Sequence, residues 1–150
     1  MLKRKEMRKL IVTILAVIAI ICASFAGHNN TISYDQLPID AQEFISHHFN
    51  GVEIDKATHC SSPESGYQVL FDNGTMVTFN SEGRWLTIHC ATGSHIPMTS
   101  LPAQLRDFMA QHHPEQSVVG MEHNAEGYLV YLSNNTTLQF DKFMHFVKEG

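Results

Sequence analysis

Little positive charge remains in this sequence once its first 26 residues are set aside. Five of the ten Lys and Arg residues fall in that opening stretch, against one of the fifteen Asp and Glu, so the other 124 of the 150 residues carry a formal charge of −9. That balance excludes nucleic acid, whose phosphates need a basic patch, and it disfavours an anionic membrane surface. A cationic partner, or plain solubility, suits it better. All ten histidines lie beyond residue 26, and protonating every one would move the formal charge from −9 to +1. Imidazole titrates near pH 6.5 when unperturbed, so the surface charge is expected to respond to pH.

Catalytic signatures are missing as well. The sequence has no G-x-S-x-G, phosphate loop, dinucleotide fingerprint or C-x-x-C. Cys60 and Cys90 each follow a histidine, His59 and His89, but neighbours along a strand point to opposite faces, which weakens both as nucleophile–base pairs. No zinc spacing such as H-E-x-x-H occurs. The expectation is therefore a non-enzyme without a cofactor.

What is present begins with a secretory pattern. Lys3, Arg4, Lys5, Arg8 and Lys9 precede an apolar run from Leu10 to Cys22, and Ala23-Ser24-Phe25-Ala26 follows. Charged, apolar and small-residue regions in that order predict a signal peptide over residues 1–26, cut after Ala26. An uncleaved anchor is the alternative, though the run is short of the ~20 residues a spanning helix needs. A lipoprotein signal using Cys22 is another, against which bulky Ile21 counts. Export predicts a periplasmic or extracellular protein with no membrane contact beyond the signal. It also permits a disulfide between Cys60 and Cys90.

The rest of the chain matches itself. At an offset of 64, Leu37-Pro38 pairs with Leu101-Pro102, Phe44 with Phe108, His48 with His112 and His59 with His123. After one three-residue indel the offset becomes 61, and Gly66-Tyr67 pairs with Gly127-Tyr128, Val69 with Val130, Asn73 with Asn134 and Phe79 with Phe140. A single indel that leaves both registers intact indicates a repeated supersecondary unit. The division expected is a linker at 27–36, a first unit at 37–90, a connector at 91–100 and a second unit at 101–150.

Each unit opens with a helix. Pro38 and Pro102 suit a first turn, and Ala41, Phe44, Ile45 and Phe49 recur at helical spacing, as do Leu105, Phe108 and Met109. Asn50-Gly51 and Pro114 stop the two helices. Strands follow at 52–60, 67–71, 75–79 and 84–90. A two-residue turn after Phe71 would put Val77 on the face away from Tyr67 and Val69. A three-residue turn keeps Tyr67, Val69, Phe71, Thr75, Val77 and Phe79 on one face, with Gly74 left-handed and Asn135 in the equivalent place. The fold class predicted is α+β: two tandem repeats, each one helix packed on a four-stranded antiparallel sheet. On that topology Cys60 and Cys90 end strands at opposite ends of the sheet, too far apart for a bond.

The other sheet face carries Gln68, Leu70, Met76, Thr78, Leu86 and Ile88, then Leu129, Tyr131, Thr137 and Gln139. It is too apolar for a plain solvated face and too polar for a core. Gln68, Leu70, Met76, Leu86, Leu129, Tyr131 and Gln139 are the candidate partner-binding residues. An ordinary half-exposed sheet, or packing between the two units, would give the same pattern.

The order of these motifs resembles a known family. A signal, a Leu-Pro opening with Phe44-Ile45, Gly66-Tyr67-x-Val69, Asn73-Gly74, Phe79, Gly83-x-Trp85, Ile88-x-Cys90, then Ile96-Pro97 and a second Leu101-Pro102 is similar to the PepSY-like family of small secreted bacterial proteins. That family is related in fold to the beta-lactamase inhibitor protein. The resemblance implies a helix on a curved antiparallel sheet, repeated, outside the cytoplasm. By analogy of fold it implies a binding or inhibitory role toward an unidentified exported protein, with no catalytic residue to carry over.

The histidines depart from that resemblance. His48-Phe49-Asn50 and His112-His113-Pro114 stand where similar proteins tend to have Tyr-Phe-Pro. A histidine-rich metal-binding or pH-responsive protein is the alternative reading, with His48, His59, His112 and His123 as its residues. A histidine near a helix C-terminus also has a structural reason to be there, since its cation is favoured by the dipole.

Overall fold

Two short helices each start one residue after a proline. α1 (Ile39–His48) follows Pro38 and α2 (Ala103–His112) follows Pro102, at φ −54° and −52°. The pyrrolidine ring presets that φ, and its missing N–H lies where a helix has no acceptor to offer. The Phe49 N–H donates to Ile45 O at 2.8 Å and the His113 N–H to Met109 O at 2.9 Å, closing the last turns. Ala41 and Ile45 are buried on α1, Leu105 and Met109 on α2. The computed structural model describes residues 30–61 and 66–150. The signal expected over residues 1–26 lies outside the described residues.

The described residues also form nine strands: β1 (Asn30–Ile32), β2 (Ile54–His59), β3 (Tyr67–Phe71), β4 (Met76–Phe79), β5 (Trp85–His89), β6 (Val118–Asn124), β7 (Gly127–Leu132), β8 (Thr137–Asp141) and β9 (Phe146–Glu149). They form one antiparallel sheet in sequence order. This corrects the expected architecture of two helix-on-four-strand repeats. Among the described residues the fold is mostly β, one continuous sheet with two ten-residue helices. The seam is β5 against β6, through Thr87↔Glu122, Ile88↔Met121 and His89↔Gly120. In separate units each of those strands would expose a row of unpaired backbone groups. Pairing them removes both edges, and a period-2 pattern, which reports faces, carries no information about edges. Residues 30–32, within the stretch expected as linker, pair with β2 as the edge strand β1.

The turn argument from side-chain faces agrees with the structure. Val69 faces Val77 and Tyr67 faces Phe79. The Phe71 N–H donates to Thr75 O and the Gly74 N–H to Phe71 O, so the loop has three residues. Gly74 sits at φ +80° and Asn135 at φ +66°, the left-handed conformation both tolerate.

Ile88 is a second correction. Between β4 and β5 the register slips, so that Thr78 faces Thr87 while Phe79 faces Trp85. Leu86 faces no residue of β4, and side-chain alternation inverts across it. Ile88 therefore lies opposite Val77 and joins the core instead of the open face.

Both helices cover the same face of the sheet. Val69, Phe71, Val77, Phe79, Val130, Leu132, Leu138 and Phe140 are all at most 1% exposed. The Phe44 ring meets Phe79 edge-on at 5.7 Å, Phe49 stacks on Phe71 at 4.6 Å, and Phe108 meets Phe140 at 5.3 Å. Burying this apolar surface is the main force that seats the helices. Cys90 is a free thiol, so no bond joins it to Cys60. Among the described residues, no helix is long and apolar enough to cross a membrane.

Candidate functional site

With both helices on one face, the other face of the sheet is a surface built by β-pairing alone. Two rows of side chains cross it. One runs Thr31, Thr58, Gln68, Thr78, Thr87, Glu122, Leu129, Gln139, Lys148, each opposite the next on the neighbouring strand. The other runs Lys56, Leu70, Met76, His89, Gly120, Tyr131, Thr137. Exposure is greatest at the two edges. Thr31 and Lys148 are exposed, whereas Thr78 and Glu122 are each 5% exposed.

Six of the seven residues singled out from sequence lie in these rows: Gln68, Leu129 and Gln139 in the first, Leu70, Met76 and Tyr131 in the second. Leu86 sits at the bulge and belongs to neither. Cross-strand contacts fix several of these side chains. The Gln68 Nε2 donates to Met76 Sδ at 2.8 Å, and the Thr78 and Thr87 hydroxyls are 2.7 Å apart.

The centre of the face is more polar than the sequence indicated. Gly120 has no side chain, and the Tyr131 and His89 rings close over it. A Cβ at that position would lie 3.3 Å from Tyr131 Cδ2 and 3.6 Å from His89 Nδ1. The two rings are near parallel (14°) with centroids 6.2 Å apart. The Tyr131 hydroxyl donates to Glu122 Oε1 at 2.9 Å. Burial, the neighbouring Glu122 charge and this hydrogen bond all push the phenol above its ordinary value. His89 Nε2 is enclosed and has no hydrogen-bond partner among the described residues. Glu122, His89 and Gly120 were not legible as a group, because only the β5–β6 and β6–β7 registers bring them together. On the helix side, a hollow of about 240 Å³ is lined chiefly by Phe44, Phe49, Trp85, Ile96, Leu101 and Met121. Its lining is mostly apolar, and polar groups converge on the open face instead.

The family profile described as "Putative beta-lactamase-inhibitor-like, PepSY-like" matches residues 65–148. The chain belongs to the PepSY-like family. Solved structures agree. A "putative calcium-regulated periplasmic protein" of Bacteroides thetaiotaomicron is similar at 29% identity and a TM-score of 0.75, over 81% of this chain and 96% of that one. A "putative periplasmic protein" of the DUF2874 family from Bacteroides vulgatus is similar at 27% identity and a TM-score of 0.74, over 84% and 99% of the two chains. A second Bacteroides vulgatus protein, described as a "putative periplasmic protein of unknown function", matches at 27% identity and a TM-score of 0.72, over 82% and 99%. No curated protein matches. This PepSY-like chain is an exported protein, periplasmic or extracellular, and neither its family nor these neighbours indicates a catalytic class.

The four histidines considered for metal are dispersed in the PepSY-like fold, each against its own aromatic ring. His48 packs on Phe44 at 4.6 Å and His112 on Phe108 at 4.5 Å, one turn earlier on each helix. His59 packs on Tyr67 at 5.0 Å and His123 on Tyr128 at 4.5 Å, across paired strands. Among the described residues, no group of three or more His, Cys, Asp or Glu side chains converges. Burial lowers the pKa of His48 and of His123 below the ordinary value, and His47 adds to the effect at His48.

Proposed function

We propose that this PepSY-like protein is delivered by a signal cut after Ala26 and acts as a non-enzymatic binding module, taking a protein partner on the open face of the sheet. The observation that carries this reading is the asymmetry of the two faces. One is closed by both helices, while the other presents two rows of mixed side chains across the sheet. A surface that mixes Leu70, Met76, Leu129 and Tyr131 with Gln68, Gln139 and threonines has the composition of an interface, with apolar contact area and polar groups to set register. Inhibition of an exported enzyme is the sharpest form of this reading, by analogy of fold. The calcium regulation named for the Bacteroides thetaiotaomicron neighbour finds no converged ligand set here among the described residues.

The test is affinity capture from envelope extract. The tagged protein is compared with a Leu70→Glu/Leu129→Glu variant, which places one charge on each half of the face. A protein retained by the wild type and lost by the variant, with unchanged circular dichroism, is the expected result. Equal retention by both would move the binding site off this face, and retention of nothing by either would count against a binding module.

A further inference from the structure

The centre of the open face contains a carboxylate that the described residues leave underpaired. Glu122 is 5% exposed and sits in the first row, between Thr87 and Leu129. One hydroxyl, that of Tyr131, reaches it. A carboxylate offers about four lone-pair sites, so one donor leaves most of its capacity unused. The ion pairs among the described residues are Arg84–Glu82, His113–Glu149 and His145–Asp141, and Glu122 is in none of them. Along its own row the nearest cation is Lys148, three strands away, or about 14 Å at the usual strand spacing. Lys56 lies at the other end of the face, four strands from β6. A carboxylate withdrawn from water with no cation beside it has lost hydration without gaining a counter-charge.

A second polar group on the face is also unmatched. His89 Nε2 is buried without a hydrogen-bond partner among the described residues. His89 is the diagonal cross-strand neighbour of Glu122, a separation of about 7–8 Å. Native proteins rarely leave such atoms unpaired without a reason.

We propose that the partner seats an arginine side chain on the Glu122 carboxylate at the centre of the open face. This rests on the binding-module reading and names the chemistry of its occupant. Arginine fits best because its guanidinium carries only donors, in a planar fork that matches a carboxylate, and sheds water more easily than an ammonium. Arginine is also enriched at interfaces. Charge complementarity extends beyond the contact. The protein beyond residue 26 carries a formal charge of −9, which draws a cationic surface in from a distance.

The test uses the full chain, expressed and recovered from the envelope after export, and a displayed library of random dodecapeptides as the probe. Peptides are selected on the wild type, confirmed on the open face by their loss from the Leu70→Glu/Leu129→Glu variant, and remade with each arginine replaced by citrulline, its neutral isostere. The expected result is an arginine at a shared position, with citrulline there weakening binding to the wild type by about tenfold or more and to Glu122→Gln by less than about twofold. Equal citrulline penalties on both proteins, or face-binding peptides lacking a shared arginine, would overturn the arginine assignment and leave the binding module standing. Peptides that bind elsewhere, or no peptides at all, would bring down both. If Glu122→Gln fails to fold, Tyr131→Phe replaces it. Removing the one donor that the described residues offer this carboxylate should enlarge the citrulline penalty, and an unchanged penalty overturns the proposal.

Discussion

At the scale of single residues, the aromatic company of the histidines explains their positions better than coordination does. Rings at i and i+4 meet on a helix, which puts His48 on Phe44 and His112 on Phe108. The same packing makes stability depend on pH. Burial lowers His48 and His123 below 6.5 in the folded chain, so the unfolded chain takes up these protons first as pH falls. The stabilisation from keeping both rings neutral is complete above about 6.5 and is lost as pH falls through the folded-state values. The urea midpoint should therefore be lower at about pH 5.5 than at about pH 7.5, and a His48→Phe/His123→Phe variant, which keeps a ring at each place, should show a smaller drop. An equal drop in both proteins would assign the pH dependence to other groups.

At the scale of elements, the seam between β5 and β6 is the decisive pairing. It places Glu122 opposite Thr87 and Gly120 opposite His89, and thereby assembles the polar centre of the open face. At Gly120 the seam leaves little room for a side chain. A Cβ there would lie 3.1 Å from Ile88 O and 3.3 Å from the Tyr131 ring. Gly120→Val should displace that ring and strain the seam, costing about 1–3 kcal/mol as overpacking does, readable as a lower urea midpoint. It should also release the Tyr131 hydroxyl from Glu122, so that the phenol titrates at a lower pH than in the wild type when followed by ultraviolet absorbance. An unchanged midpoint and phenol titration would mean that the rings do not depend on this gap.

At the scale of the whole molecule, one sheet implies one folding unit. The core runs continuously from Leu37 on one side of the seam to Met144 on the other, and β5 and β6 share backbone hydrogen bonds. Two independent units would melt in two steps. A single sheet should melt in one, with calorimetric and van't Hoff enthalpies in agreement. Two resolved transitions would show that the halves are thermodynamically separate in spite of the seam.

The sequence by itself determined the local elements. Prolines located both helix starts, the residue pattern located β2 to β5 and the buried face of β3 and β4, and a face-sharing argument fixed the three-residue turns with Gly74 and Asn135 left-handed. It also carried the family, through motif order, and assigned Gln68, Leu70, Met76, Leu129, Tyr131 and Gln139 to the face away from the helices. These properties are set by neighbours a few positions apart, so a linear pattern records them. The continuous sheet, the edge role of β1, the core position of Ile88 and the Glu122–Tyr131–His89 centre came only from tertiary structure. A seam is a choice of edge partner, and hydrogen bonds between backbones leave no mark on side-chain periodicity. A bulge inverts alternation at a single residue, and a period-2 pattern read through Leu86 has no means of detecting the slip. The polar centre depends on both, which is why the strongest candidate for function appears only when the strands are paired.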